Sequence, residues 1–296
     1  MNSAPRDEPR MAEFLSPAQY FASAEAGPRK RFGQHFLAQP ATASRIVQSA
    51  ELSASDVAVE IGPGLGALTR FILPVVHRLY LVEVDRDMAE YLRERLPQPE
   101  IASVVEKDVL EFDFAGLHQK VGRRLVLIGN LPYNISSPIM FHLLEAFPVV
   151  ERAVFMVQKE VGIRFAASPG TKDYGVLSVL LGIYARVTPL FTVGPRQFYP
   201  PPKVDSIVLR MDFADESPTR IPFDFLRQFV SKAFQQRRKT LSNSLKGVFG
   251  TAAATLDAAY EEIAIDPKRR PETLSPAEFL ALAQKIHEKL KSGKQL

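Results

Sequence analysis

No cysteine occurs among the 296 residues, which excludes disulfides, thiolate zinc sites and cysteine nucleophiles together. Long apolar runs are missing as well. None reaches the ~18 residues that a membrane span needs, and the longest, around Val176 to Ile183, is interrupted by Ser178 and Gly182. The N-terminus lacks a basic segment leading into an apolar core, so secretion is not expected and the cytoplasm is the expected location. Histidine is scarce: His35, His77, His118, His142 and His287 show no ligand spacing, so no metal is expected.

What is present is ordinary for a soluble globular protein, with 46% hydrophobic and 24% charged residues. The length allows one large domain and a small one. A net charge of +4 is a modest excess, but its distribution is uneven. Arg29-Lys30-Arg31, Arg237-Arg238-Lys239 and Lys268-Arg269-Arg270 form three basic triplets. One triplet is commonly a solvated surface; three, each beside other unusual sequence, favour contact with RNA phosphate.

Residues 1–28 mix Pro, Ala, Ser and charge without periodicity and read as a flexible tail. From Val57 onward, short apolar runs alternate with helical patterns. Strands are predicted at Val57–Ile61, Leu79–Val84, Ser103–Glu106, Leu125–Ile128 and Ala153–Val157, with helices at Leu65–Leu73, Arg86–Leu96 and Ser137–Phe147. Repeated β-α units of this kind imply a parallel sheet covered on both faces. Val204–Phe213 alternates better and suits an antiparallel strand added late. Residues 214–221 look like a linker. Helices follow at Phe223–Lys246 and Ala252–Ala264, and a third after Ser275, with Ser275 as N-cap, Pro276 at N1 and Glu278 at N3. The organisation is an α/β domain over 29–213 and a small all-α domain over 222–290.

Gly62, Gly64 and Gly66 follow one strand and precede a helix, where glycine permits a sharp turn and close ligand approach. Glu83 ends the next strand, placed to accept from ribose hydroxyls. Gly62-x-Gly64-x-x-Ala67 also satisfies the dinucleotide fingerprint, with its acid about 20 residues on. The glycines alone therefore leave nicotinamide and adenosyl cofactors both open. Three further residues favour the second. Glu60 would repel a pyrophosphate but attract a methionine amino group; Asp108 could accept from an adenine amine; Asn130 ends the next strand. Each could instead be a helix N-cap.

Asn130-Leu131-Pro132-Tyr133 is the most distinctive motif. The exocyclic amine of adenine is a poor nucleophile because its lone pair is delocalised into the ring. The Asn130 side-chain oxygen and the Leu131 carbonyl could accept its two N–H groups, Pro132 would fix the backbone, and Tyr133 would stack on the extruded base. The plainer alternative is a turn. Phe198-Tyr-Pro-Pro-Pro-Lys203-Val-Asp-Ser206 is stiff and extended. It could hold Phe198 as the opposite wall of the base pocket with Lys203 toward phosphate, or be a rigid connector with a core phenylalanine.

The segments Lys30-Arg-Phe-Gly-Gln-His-Phe-Leu37, Val59-Glu-Ile-Gly-Pro-Gly-Leu-Gly66, Gly129-Asn-Leu-Pro-Tyr-Asn134 and Gln158-Lys-Glu-Val161, with Tyr174-Gly175, Phe198 to Ser206 and Phe234-Gln-Gln-Arg-Arg-Lys-Thr-Leu241, run in order from about residue 29 to 288. In these the chain resembles the bacterial small-subunit (16S) ribosomal RNA adenine N6,N6-dimethyltransferases, relatives of the large-subunit enzymes that confer macrolide resistance. The resemblance implies a Rossmann-like class I methyltransferase sheet, mostly parallel with seven strands, and a small all-α C-terminal domain. It implies S-adenosyl-L-methionine held by His35, Leu37, Gly62, Glu83, Asp108 and Asn130. His35 stands where relatives often carry Asn. The implied product is dimethyladenosine at two adjacent adenines in a hairpin loop near the 3′ end of small-subunit rRNA, made within a pre-ribosomal 30S particle by an enzyme that nothing marks as other than a monomer. Arg29, Lys30, Arg31, Lys203, Arg237, Arg238 and Lys239 are the expected RNA contacts. A non-catalytic RNA-binding assembly factor on the same fold, a large-subunit rRNA methyltransferase and a nicotinamide dehydrogenase are the competing readings.

Overall fold

A computed structural model describes residues 13–23, 27, 34–96, 100–236 and 238–292. It divides into two compact units, Met1–Ile139 with Val149–Lys159 and Leu190–Arg210, and Met140–Pro148 with Glu160–Pro189 and Met211–Leu296. In chain order the elements are α1 (Pro17–Ser23), β1 (Phe36–Leu37), α2 (Pro40–Gln48), β2 (Val57–Ile61), α3 (Thr69–Ile72), β3 (Arg78–Glu83), α4 (Arg86–Arg93), β4 (Ala102–Glu106), α5 (Phe114–Val121), β5 (Leu125–Asn130) and α6 (Ser136–Glu145). There follow β6 (Val150–Gln158), α7 (Lys159–Phe165), α8 (Val176–Tyr184), β7 (Ala185–Val193), β8 (Phe198–Tyr199), β9 (Ser206–Phe213), α9 (Phe223–Phe234), α10 (Leu241–Leu245), α11 (Ala253–Glu262) and α12 (Pro276–Ser292).

Seven strands form one sheet in the order β4-β3-β2-β5-β6-β9-β7. The four pairs from β4 through to β6 are parallel. The apolar runs explain this: β2 is buried at every position and β5 at all but its last, as strands with both faces covered require. The chain builds β2, β3 and β4 outward on one side, then returns to lay β5 on the other side of β2. That reversal is a topological switch point, and the crevice beyond the carboxyl ends of β2 and β5 is where open α/β sheets bind ligands. Gly129 makes the junction tight: it pairs with Ile61, and a Cβ added to it would lie 2.6 Å from the Ile61 carbonyl oxygen.

Several elements depart from the sequence expectation. The helix expected at Leu65–Leu73 is only Thr69–Ile72, because Gly62, Gly64 and Gly66 all adopt positive φ and carry the chain through turns. The continuous helix expected over Phe223–Lys246 is α9 and α10, with turns between them. Strand β7 has no counterpart in the sequence reading; Pro189 within it is tolerated because β7 is an edge strand. The apolar run at Val176–Ile183 is helix α8, which packs on α9 and α12. Helix α12 starts as read: Ser275 Oγ accepts from Glu278 N–H at 3.2 Å while Glu278 Oε2 accepts from Ser275 N–H at 2.7 Å.

The flexible-tail expectation for residues 1–28 fails over residues 13–23. Phe14 and Phe21 are buried in a cluster with Phe36, Leu65, Met88, Tyr91 and Leu92. Burial of each phenylalanine contributes about 2 kcal/mol, which an aperiodic composition conceals.

Candidate active site

A cavity opens at the switch point, within the first unit. Its walls include the loop after β2, the ends of β3, β4 and β5, and the His35–Leu37 segment. Of the expected cofactor residues, His35, Leu37, Glu60, Gly62, Gly64, Glu83, Asp108 and Asn130 line it; of the expected substrate residues, Asn130, Leu131, Pro132 and Tyr133 do. Residues almost a hundred positions apart thus share one space.

The loop's own hydrogen bonds bear on which cofactor fits. Gly62 N–H donates to the Val82 carbonyl at 3.0 Å and Gly66 N–H to the Pro63 carbonyl at 2.9 Å, and Gly64 N–H donates to Glu83 Oε2 at 3.0 Å. All three glycine amides are therefore engaged within the protein, and α3 begins only at Thr69. A pyrophosphate would need those donors and a helix N-terminus beside them. The donor set suits a phosphate-free ligand that presents its own N–H and O–H groups to acceptors.

The acceptors differ in state. Glu83 is 6% exposed; burial pushes its carboxyl up, and amide N–H groups of Asp85, Gly64 and Val84 oppose this. Those bonds, 2.9 to 3.0 Å long, fix both oxygens at the cavity wall. Glu60 accepts from Thr69 Oγ1 at 2.6 Å, and burial pushes its carboxyl up to about 8. Near neutral pH burial thus favours the protonated acid over the simple carboxylate expected there. Asp108 serves as N-cap and cavity wall at once. Its Oδ1 accepts from Leu110 N–H at 2.9 Å, and the residue remains exposed along the cavity.

At the tip of β5, Asn130 Nδ2 donates to the His35 carbonyl at 2.9 Å. With its amino group so committed, the side-chain oxygen is the end left to accept. Leu131 N–H donates to the Met156 carbonyl at 3.0 Å, and the Pro132 carbonyl accepts from Ile135 N–H at 3.2 Å, so the motif is rigid. Tyr133 is anchored by its hydroxyl to Ser206 Oγ at 2.6 Å. The His35 ring stacks on it at 5.5 Å and 28° and holds its own Nδ1 against the Pro200 carbonyl at 2.8 Å. His35 therefore orients the tyrosine as well as lining the cavity.

Two of the expected residues lie outside this cavity lining. Phe198 does not wall the cavity: it is 4% exposed, in the hydrophobic core with Leu37 and Val193. Successive strand residues face opposite ways, so β8 turns Phe198 inward and leaves Tyr199 exposed. Gly66 does not line the cavity either; the space its missing Cβ leaves is filled by Phe14. Sequence reading missed Leu15, Pro17, Gln34, Arg70 and Lys107, all on the cavity wall. Arg70 Nε is buried without a hydrogen-bond partner among the described residues. Its position four residues past Gly66 was the only available signal.

Among the expected RNA contacts, Lys203, Arg238 and Lys239 are exposed, whereas Arg29, Lys30, Arg31 and Arg237 lie outside the described residues. The third basic triplet is partly spoken for, because Arg269 pairs with Glu278. Among the described residues no group of acidic and histidine side chains could hold a metal, and no helix is long and apolar enough to cross a membrane.

The profile of the family described as ribosomal RNA adenine dimethylase matches residues 27–288. Ribosomal RNA small subunit methyltransferase A of Nitrosococcus oceani is 46% identical over 257 residues, covering 86% of this chain and 95% of that protein. The protein of the same name from Leptothrix cholodnii is 47% identical over 261 residues, covering 88% and 93%. Among solved structures, a dimethyladenosine transferase from Plasmodium falciparum superposes with a TM-score of 0.76 at 26% identity, covering 86% of this chain and 98% of that one. The 23S rRNA methyltransferase ErmE gives 0.64 at 26% identity, covering 85% and 99%.

Proposed function

This chain belongs to the ribosomal RNA adenine dimethylase family, and on that premise we propose that it dimethylates the N6 amines of two adjacent adenosines in a loop near the 3′ end of small-subunit rRNA. One observation carries the site assignment: Glu83, Asp108 and Asn130 converge on a single switch-point cavity whose glycine amides are already engaged.

S-adenosylmethionine, when bound, supplies a methyl group made electrophilic by its sulfonium. Glu83 accepts from the ribose hydroxyls and Asp108 from the cofactor's adenine amine. Glu60 meets the methionine amino group, and Arg70 supplies a cation on the cavity wall for the methionine carboxylate. On the substrate side, the Asn130 side-chain oxygen and the Leu131 carbonyl accept both N–H groups of the target amine, which favours a pyramidal nitrogen. Tyr133, held by Ser206 and His35, positions the extruded base. Catalysis then consists of positioning and exclusion of water. The methylated ammonium is acidic enough to lose its proton to water, so no strong base is required.

Loop adenines suit such a reader, because unstacked bases can be splayed out whereas the A-form major groove is too deep to read. The substrate is a pre-ribosomal 30S particle in the cytoplasm, the enzyme acts as a monomer, and helical residues 222–290 recognise the particle's shape. Lys203, Arg237, Arg238 and Lys239, with Arg29, Lys30 and Arg31, meet phosphate. The test is methyl transfer from labelled S-adenosylmethionine to undermethylated small subunits, beside Asn130→Ala and with large subunits as control. Dimethyladenosine in small-subunit rRNA, lost in the variant, is the expected result. Label confined to large-subunit rRNA, or particle binding with no label at all, overturns the proposal.

A further inference from the structure

The family match begins at residue 27, yet the cavity wall includes Leu15 and Pro17. These belong to a short packed segment, residues 13–23, that the motifs of the site do not account for. Its anchors are strong. Phe14 and Phe21 are 7% and 9% exposed. The Phe14 ring fills the space beside Gly66, where an added Cβ would come within 2.4 Å of it. Leu15 N–H donates to the Tyr91 hydroxyl at 2.7 Å, Tyr20 packs edge-on against Tyr91 at 5.0 Å, and Phe21 lies 5.4 Å from Phe36. The segment is therefore fastened to α4 and to two elements that border the cavity, the glycine loop and β1. Between the two phenylalanine anchors, Leu15 and Pro17 present apolar surface to the ligand space.

We infer that residues 13–23 form a strap that completes the cofactor site, with Leu15 and Pro17 contacting bound S-adenosylmethionine and slowing its exchange. The inference rests on the cavity being the cofactor site. The strap excludes water from one side of the ligand, and an apolar contact of this kind lowers the dissociation rate more than it alters association. It also gives Gly66 a reason: the residue is small to seat Phe14.

The test uses the full-length chain with S-adenosylhomocysteine as probe, measuring affinity by calorimetry and dissociation by stopped flow. Leu15→Ala removes a cavity contact while leaving both anchors, and a Phe14→Ala/Phe21→Ala double variant releases the strap. Glu83→Ala serves as reference for the cavity itself. Leu15→Ala is expected to weaken binding by about tenfold through faster dissociation, and the double variant by at least as much. If Glu83→Ala weakens binding while Leu15→Ala and the double variant stay within about twofold of wild type, the strap is overturned and the cavity assignment stands. If Glu83→Ala also binds normally, the cavity is not the cofactor site and both ideas fall.

Discussion

The Asn130 side chain donates to the main-chain carbonyl of His35 at 2.9 Å across 95 positions of sequence. This bond decides which end of the amide faces the cavity. Asn130→Ala loses both the acceptor and the tie to the His35 segment, and should lower single-turnover methylation of small subunits by at least about 100-fold. Cofactor affinity should change less, because Glu83 and Asp108 remain. Asn130→Asp is the sharper variant: it keeps an acceptor but has no N–H for the His35 carbonyl, so it should not restore the rate. Recovery of half the wild-type rate by the aspartate would show that the His35 tie is unimportant.

Gly129 sets how closely β2 and β5 approach. A Cβ there would meet a backbone carbonyl oxygen, Ile61 O, at 2.6 Å, and a paired strand cannot move away as a flexible side chain could. Gly129→Ala is expected to destabilise the fold by about 2 kcal/mol, read as a lower urea midpoint. It should also widen the switch-point cavity and weaken S-adenosylhomocysteine binding. An unchanged midpoint would mean that the sheet relaxes freely here.

The parallel half of the sheet was legible because β2, β3 and β5 are continuous apolar runs ending in Glu60-Ile61-Gly62, Glu83 and Asn130, so strand and site were visible together. The capping box at Ser275 was legible for a similar reason, since its chemistry is local. Strand β7 was not, because a mid-strand proline argues against a strand unless the strand is known to lie at an edge. Nor was the packing of Phe14 and Phe21: two aromatics in an aperiodic segment reveal nothing until Gly66 and Tyr91 are seen to receive them. The inward turn of Phe198 rests on one-residue parity, which sequence leaves open in a two-residue strand.

Ser275 and Glu278 cap α12 reciprocally, and Glu278 also pairs with Arg269, which holds its carboxyl down at about 2. Ser275→Ala removes one side of the box and should cost about 1 kcal/mol of stability, a small but resolvable loss in melting temperature. The Glu278 contribution is present above its ordinary value of 4.5 and fades as pH falls toward 2. Glu278→Gln should therefore cost more stability at pH 6 than at pH 3, and equal losses at both would detach Glu278 from the ion pair.

Arg238 and Lys239 are exposed beyond the end of α9, where a phosphate can reach them. Arg238→Ala should weaken binding to small subunits and lower the slope of log affinity against log salt by about one. S-adenosylhomocysteine affinity should not change. Equal affinity of variant and wild type across salt concentrations would remove Arg238 from the RNA interface.

Glu60 provides the pH test of the site. It is 1% exposed; burial lifts its carboxyl from 4.5 to about 8, the nearby Glu83 adds to the lift, and the Thr69 hydrogen bond opposes it. Between those two values the folded chain keeps a proton that the unfolded chain has lost. Stability from this group is therefore undiminished below about 4.5 and falls as pH rises toward 8, by at most about 1.4 kcal/mol per pH unit. Glutamine keeps an acceptor for Thr69 but cannot titrate. The melting temperature of ligand-free Glu60→Gln should thus decline less steeply than wild type between pH 5.5 and 8, whereas parallel curves would mean that Glu60 ionises freely in the fold. A cationic amino group brought beside Glu60 favours its ionised form, so cofactor binding at pH 7 should release a proton. Calorimetry in two buffers of different ionisation enthalpy reads that proton directly, and its persistence in Glu60→Gln would assign it to another residue.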